Sequence, residues 1–288
     1  MPATYSPFLV AKMRQLKEFS LGFVILLIFF TFAFGNSSSK IAVLVCDSPW
    51  IEERFIIDRQ LKFVLEEDGF TIAAVHYADV NPDFLRKFNV VVINWPVLIR
   101  AYGDDPKEHE EKWQMFEQFV REGGGLLLFG YHAGNPDSFD NTNQYIKRFG
   151  IRYLPQAIIE NDPNKCALPE PSKAVLAIDY GRKFSFAKTE NITPHPITKG
   201  VRTIWYPTGW MYNMATLPIE ADPNWTILVR GSDTAQSVVG FPDDPEAKKV
   251  PTIPSAPPFI ACRDFGKGRI VAFASHPTFW MEVPFHCL

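Results

Sequence analysis

The stretch Gly123-Gly124-Gly125-Leu126-Leu127-Leu128-Phe129-Gly130-Tyr131-His132-Ala133-Gly134 decides the fold. Its unbroken apolar run reads as a strand buried on both faces, the habit of a parallel sheet. The glycines around it predict a sharp turn, where backbone can take positive φ or approach a ligand closely. Many α/β enzymes hold their nucleophile at such a strand-to-helix turn. His132 stands at the apex, where covalent attack would need Ser or Cys. An imidazole there can serve as general base, metal ligand or hydrogen-bond donor, or simply be held by neighbouring backbone.

Working outward, the apolar runs 41–46, 71–76 and 90–94 predict further strands. Helical spacing predicts helices over 51–68, 82–87 and 112–121, the last with Trp113, Phe116, Phe119 and Val120 inward. Residues 143–149 open another helix. This alternation predicts an α/β protein with a doubly wound, mainly parallel sheet and helices on both faces. Ligands in such sheets bind beyond the carboxyl ends of the strands. Those ends are Asp47, His76–Tyr77, Asn94–Trp95 and Gly130–Gly134.

The C-terminal half predicts β-hairpin additions. Short strands are expected at 175–179 and 184–187, as a hairpin, and at 225–230 and 237–241. Residues 259–264 and 269–275 form a second hairpin around Gly266-Lys267-Gly268, which lacks phosphate-loop spacing. Six prolines in 242–258 predict a surface loop there.

The net charge of −3 and the lack of a basic run exclude nucleic acid as an expected partner. Lys12, Arg14 and Lys17 precede an apolar run, Leu21 to Gly35, with Ala33 and Gly35 as small residues before a polar stretch. This pattern predicts a secretory signal over 1–35, with an uncleaved signal anchor as the alternative. A single domain over 40–288 would then be exported, periplasmic or extracellular, and membrane-bound only if the segment stays. Cys46, Cys166, Cys262 and Cys287 show no CxxC or metal spacing, so neither metal nor cofactor is expected, and free thiols compete with disulfides.

His276, in Ala274-Ser275-His276-Pro277-Thr278, shares the crevice with His132 if its strand neighbours 126–129. The two imidazoles are the candidate catalytic pair, acid and base, with N–H groups of the turn facing developing negative charge. Asp47 and Asn94 could bind sugar hydroxyls or cap the following helices. Trp95 and Tyr131 could stack on a carbohydrate, whereas Trp205, Tyr206 and Trp210 fit core packing. Two prolines extend the loop around His195, which suits either a binding residue or a structural turn. Glu108–Glu111 around His109 reads as a solvated helix face.

The pattern resembles the class I glutamine-amidotransferase-like superfamily, whose members carry Gly-x-Cys-x-Gly at the elbow and a late His-Pro-Glu. The matching segments are Gly130-Tyr131-His132-Ala133-Gly134 and His276-Pro277-Thr278, so of the triad only His276 is present. Cysteine attack on glutamine is thereby excluded at this elbow. Within the superfamily the chain is most similar to trehalose-utilisation (ThuA-like) proteins. The likeness lies in 123–132, in His195-Pro196-Ile197-Thr198-Lys199-Gly200 and in Gly266-Lys267-Gly268-Arg269; the proline-rich 242–258 departs from it. It implies a flavodoxin-like fold and a link to sugar metabolism. Two functions stay open: an exported protein acting on or binding a carbohydrate, or a non-catalytic ligand-binding or interaction module on the same scaffold. Flavin chemistry fits poorly, because Asp47-Ser48-Pro49-Trp50 makes no phosphate loop.

Overall fold

Apolar runs in this chain become the inner strands of a central sheet. The computed structural model describes residues 42–47, 66, 69–93, 106–130, 142–167, 184–209, 215–239 and 251–275. In chain order the elements are β1 (Ala42–Asp47), β2 (Thr71–His76), α1 (Pro82–Leu85), β3 (Val90–Ile93), α2 (Pro106–Glu122) and β4 (Gly125–Phe129). There follow β5 (Ile151–Tyr153), β6 (Ala157–Glu160), β7 (Cys166–Ala167), β8 (Phe184–Thr189), β9 (Ile204–Gly209) and β10 (Ile219–Ala221). The last are β11 (Thr226–Arg230), β12 (Ala235–Val238), β13 (Pro251–Ile253), β14 (Pro258–Phe265) and β15 (Gly268–Phe273).

The central sheet has the order β11-β14-β15-β4-β3-β1-β2. Pairing is parallel from β2 through β1, β3 and β4 to β15, and antiparallel from β15 to β14 and β11. Every residue of β3 and β4 is buried, as their unbroken apolar runs require. Three small sheets, β10-β5, β13-β12-β6 and β7-β8-β9, are antiparallel throughout. Antiparallel pairings therefore outnumber parallel ones among the described strands, and the protein is mixed α/β, with few helices among the described residues.

Local chemistry explains the helix ends. Asn81 caps α1, its Oδ1 accepting from the Phe84 N–H at 2.9 Å, with Pro82 next. α2 starts earlier than its apolar spacing predicts and ends at Gly123 with φ +126°. The Gly124 N–H donates to the Phe119 carbonyl and the Gly123 N–H to that of Val120, a Schellman closure. Gly124 also gives room to the Phe119 ring, which lies within 2.5 Å of where a Cβ would sit.

Two expectations are corrected. The proline-rich 242–258 is not wholly loop: Pro251–Ile253 is β13, and Pro258 opens β14. β13 is the edge of its sheet and Pro258 is a first strand residue, the places where a missing N–H is tolerated. His109 is not on a solvated face; it is buried on the inward stripe of α2 with Trp113, Phe116 and Val120. Phe119 is only partly buried. The expected strand at 184–187 exists as β8 but pairs with β7 and β9. The expected helix at 51–68, apart from Glu66, and the expected strand at 175–179 lie outside the described residues.

Candidate functional site

The carboxyl ends of the parallel strands stand level. Cys46, Ile93, Leu128 and Ala272 share one row across β1, β3, β4 and β15. One residue further, Asp47 ends β1 and pairs with His76, while Phe129 pairs with Phe273. The chain turns from β2 back across β1 to β3, so the β1/β3 junction is a topological switch point. The side chains of Asp47 and His76, and all of Asn94, Trp95, Tyr131, His132 and His276, lie outside the described residues.

The neighbouring of β4 and β15, on which a shared histidine crevice depends, is observed. The Gly130 N–H donates to the Phe273 carbonyl at 2.7 Å. A Cβ on Gly130 would lie 2.9 Å from the Ala274 backbone, so this glycine serves close strand approach. It is not among the glycines with positive φ. Sequence positions 132 and 276 each follow two residues after this contact.

The surroundings of that contact are tightly built. The Ala274 N–H donates to the Phe259 carbonyl and its own carbonyl accepts from the Leu217 N–H. Phe129 and Phe273 meet edge to face at 5.6 Å, and the Tyr153 hydroxyl donates to the Leu128 carbonyl at 3.1 Å. Ser275 is fully buried. Thr216 binds backbone to Pro207 of β9 and Ile158 of β6, so the small sheets rise beside the carboxyl end of β15. Sequence reasoning missed this wall, because its strands are short and pair across long separations.

His195 lies elsewhere. Its Nδ1 accepts from the Ile197 N–H at 3.2 Å, and Thr198 Oγ1 accepts from the His195 N–H at 3.0 Å, a reciprocal cap on the turn Pro196–Thr198. Its Nε2 stands 3.9 Å from Cys262 Sγ on β14. Burial, then the Arg269 guanidinium, holds this imidazole below the ordinary histidine value, against the pull of Asp264. Asp264 and Arg269 pair at the amino end of β15, opposite the crevice. The adjoining residues 191–193 bond to β11 through Thr193 N–H to Leu228 carbonyl and Arg230 N–H to Asn191 carbonyl. The loop thus covers the sheet edge, which would otherwise expose unpaired backbone. The structure gives His195 a turn-capping role beside Cys262.

The described cysteines, Cys166 and Cys262, are free thiols. Burial pushes the Cys262 thiol up to about 12, so it is no thiolate nucleophile beside His195. Among the described residues no three His, Cys, Asp or Glu side chains gather into a metal-binding group. Tyr206 is core, 4.8 Å from Phe259 between ring centres. The buried residue that the sequence reading missed is His109, betrayed only by its four-residue step to Trp113.

Residues 43–276 match the family described as ThuA, trehalose utilisation. No curated protein matches the chain. Among solved structures, the mmIFT52 N-terminal domain is similar with a TM-score of 0.53 and 12% identity, over 83% of this chain and 87% of that one. A cytoplasmic protein from Salmonella typhimurium LT2 gives a TM-score of 0.46 at 14% identity, over 86% of this chain and 99% of that one. A putative ThuA-like protein from Parabacteroides merdae ATCC 43184 gives 0.42 at 13% identity, over 82% and 79%. At 12% identity the likeness to the first of these shows the fold alone.

Proposed function

The chain belongs to the ThuA, trehalose-utilisation, family of the class I glutamine-amidotransferase-like superfamily, and we propose that it binds or acts on a carbohydrate or derivative at its elbow. The observation that carries this reading is the parallel pairing of β4 with β15, with Gly130 against Ala274. His132 and His276 each come two residues after that contact, and would work as an acid–base pair. Asp47 and Asn94 would meet sugar hydroxyls at the β1/β3 switch point, with Trp95 and Tyr131 as stacking faces.

The domain is read as flavodoxin-like and doubly wound; the order 2-1-3-4 continued by a fifth parallel strand supports this. With His at 132 and Thr at 278, the amidotransferase site is degenerate and lacks a covalent nucleophile. The basic and apolar residues before position 36 support export, or anchoring if that segment is kept. The missing nucleophile and acid also favour a second reading, a non-catalytic ligand-binding or interaction module.

Calorimetric titration with trehalose and with glucose tests the proposal. Binding is expected in the wild type, and a loss of at least about tenfold in affinity, ~1.4 kcal/mol, in His132→Ala and in His276→Ala. Unchanged affinity in folded variants rejects the site. Product formation on top of binding separates an enzyme from a binding module.

A further inference from the structure

Residues 190–199 run along the outside of the central sheet between two fixed points. At the first, Thr189 ends β8 and is buried; its hydroxyl donates to the Arg230 carbonyl and accepts from the Asn191 N–H. At the second, Ile197 is fully buried in the main core and Thr198 nearly so. Between them the chain lies on β11, the outer strand of the sheet. The Thr193 N–H donates to the Leu228 carbonyl at 2.8 Å and the Arg230 N–H to the Asn191 carbonyl at 3.1 Å. Ile192 bridges to Val229 between these two bonds.

His195 closes this arm onto its second anchor. Its Nδ1 accepts from the Ile197 N–H, and its own N–H donates to Thr198 Oγ1. That hydroxyl donates in turn to the Thr193 carbonyl at 2.6 Å. Pro194 and Pro196, on either side, have no N–H with which to hold the arm. A ring whose Nδ1 accepts is neutral; protonation puts an N–H there, against that of Ile197. The ring faces Cys262 and Asp264 of β14 and Arg269 of β15. Arg269 opposes a charge on it, and Asp264, which favours one, is paired to Arg269 at 2.7 Å. β11 brings Arg230, and the segment's own charges, Glu190 and Lys199, are exposed.

We propose that residues 191–195 are an acid-released strap: with His195 neutral they cover the edge of β11, and protonation of His195 breaks the cap, frees the strap and bares the Leu228 carbonyl and the Arg230 N–H. A sheet edge bared in this way offers unpaired backbone to another strand. The released ring has the ordinary histidine value of about 6.5, and the capped ring lies below it. The strap is therefore closed above that pH and opens as pH falls below it.

Amide hydrogen exchange of the full chain, resolved by NMR and corrected for the intrinsic pH dependence of exchange, tests this and needs no ligand. From about pH 7.5 to about pH 5, protection of the Thr193 and Arg230 amides is expected to fall at least about threefold, the size of a weakened cap. Protection of the Ala274 amide, which bonds to the Phe259 carbonyl, is expected to hold. In His195→Asn, which keeps an acceptor and does not titrate, protection at Thr193 and Arg230 is expected to be the same at both pH values. Equal protection in the wild type, an equal fall at Ala274, or a fall as large in His195→Asn overturns the proposal. Should that variant fail to fold, Arg269→Gln decides in its place. Without that cation the capped ring takes its proton more readily, so the fall is expected to shrink, and an undiminished fall overturns the proposal.

Discussion

At the residue scale, His195 shows how a motif can be legible while its purpose is not. The prolines around it announce a fixed loop, and the loop is there. That Cys262 lies beside the ring has no local signature, since residues 195 and 262 meet only through the packing of the loop on β14. The accepting Nδ1 places the ring proton on Nε2, so protonation would set a second N–H against that of Ile197. The folded state therefore prefers the neutral ring, in line with the lowered proton affinity that burial and Arg269 impose. For a histidine lowered on folding, the stabilisation is complete above its ordinary value of about 6.5 and is lost as pH falls below it. His195→Asn keeps a capping acceptor and removes the titration. Urea midpoints at about pH 7.5 and about pH 5 should fall further in the wild type than in this variant. Equal falls would show that the ring is not held neutral by its cap.

At the element scale, legibility follows burial. β3 and β4 are apolar without a break because both faces are covered, and the sequence announces them. β5, β10 and β13 have three residues each and mixed exposure, too little for a period to emerge. His109 was hidden by the glutamates beside it, although its spacing to Trp113 and Phe116 is helical. Gly266-Lys267-Gly268 was legible as a turn, and the structure supplies the reason for its glycines. A Cβ on Gly268 would lie 2.1 Å from the Gly124 carbonyl and 2.3 Å from that of Val120. The end of α2 already fills the space. Gly200, by contrast, has φ +85° and nothing within 4 Å of a Cβ. Gly200→Ala should cost only the backbone strain, about 1–2 kcal/mol. Gly268→Ala must push backbone apart and should cost about 3 kcal/mol or more, the upper end of overpacking. Chemical denaturation of both variants checks the order, and a Gly268→Ala as stable as Gly200→Ala would refute the packing account.

At the scale of the whole molecule, the sheet order does what no stretch of sequence can. β4 and β15 lie more than a hundred residues apart in the chain, yet their ends meet at Gly130 and Ala274. Each strand end was visible alone; their adjacency was not, because an apolar run announces a buried strand without naming its partner. The proposed site stands or falls with the consequence, that His132 and His276 are close enough to interact. Energetic coupling is the direct measure. Residues more than about 7–10 Å apart without shared partners give additive effects within roughly 0.3–0.5 kcal/mol, whereas neighbours deviate by about 0.5–3 kcal/mol. Unfolding free energies of His132→Ala, His276→Ala and the double variant close such a cycle without requiring a substrate. A favourable coupling above about 0.5 kcal/mol is expected at neutral pH, and it should turn unfavourable as pH drops below about 5, where both rings carry charge and repel. Strict additivity at neutral pH would separate the two imidazoles, leaving the elbow with His132 alone and removing the acid–base pair from the reading of this fold.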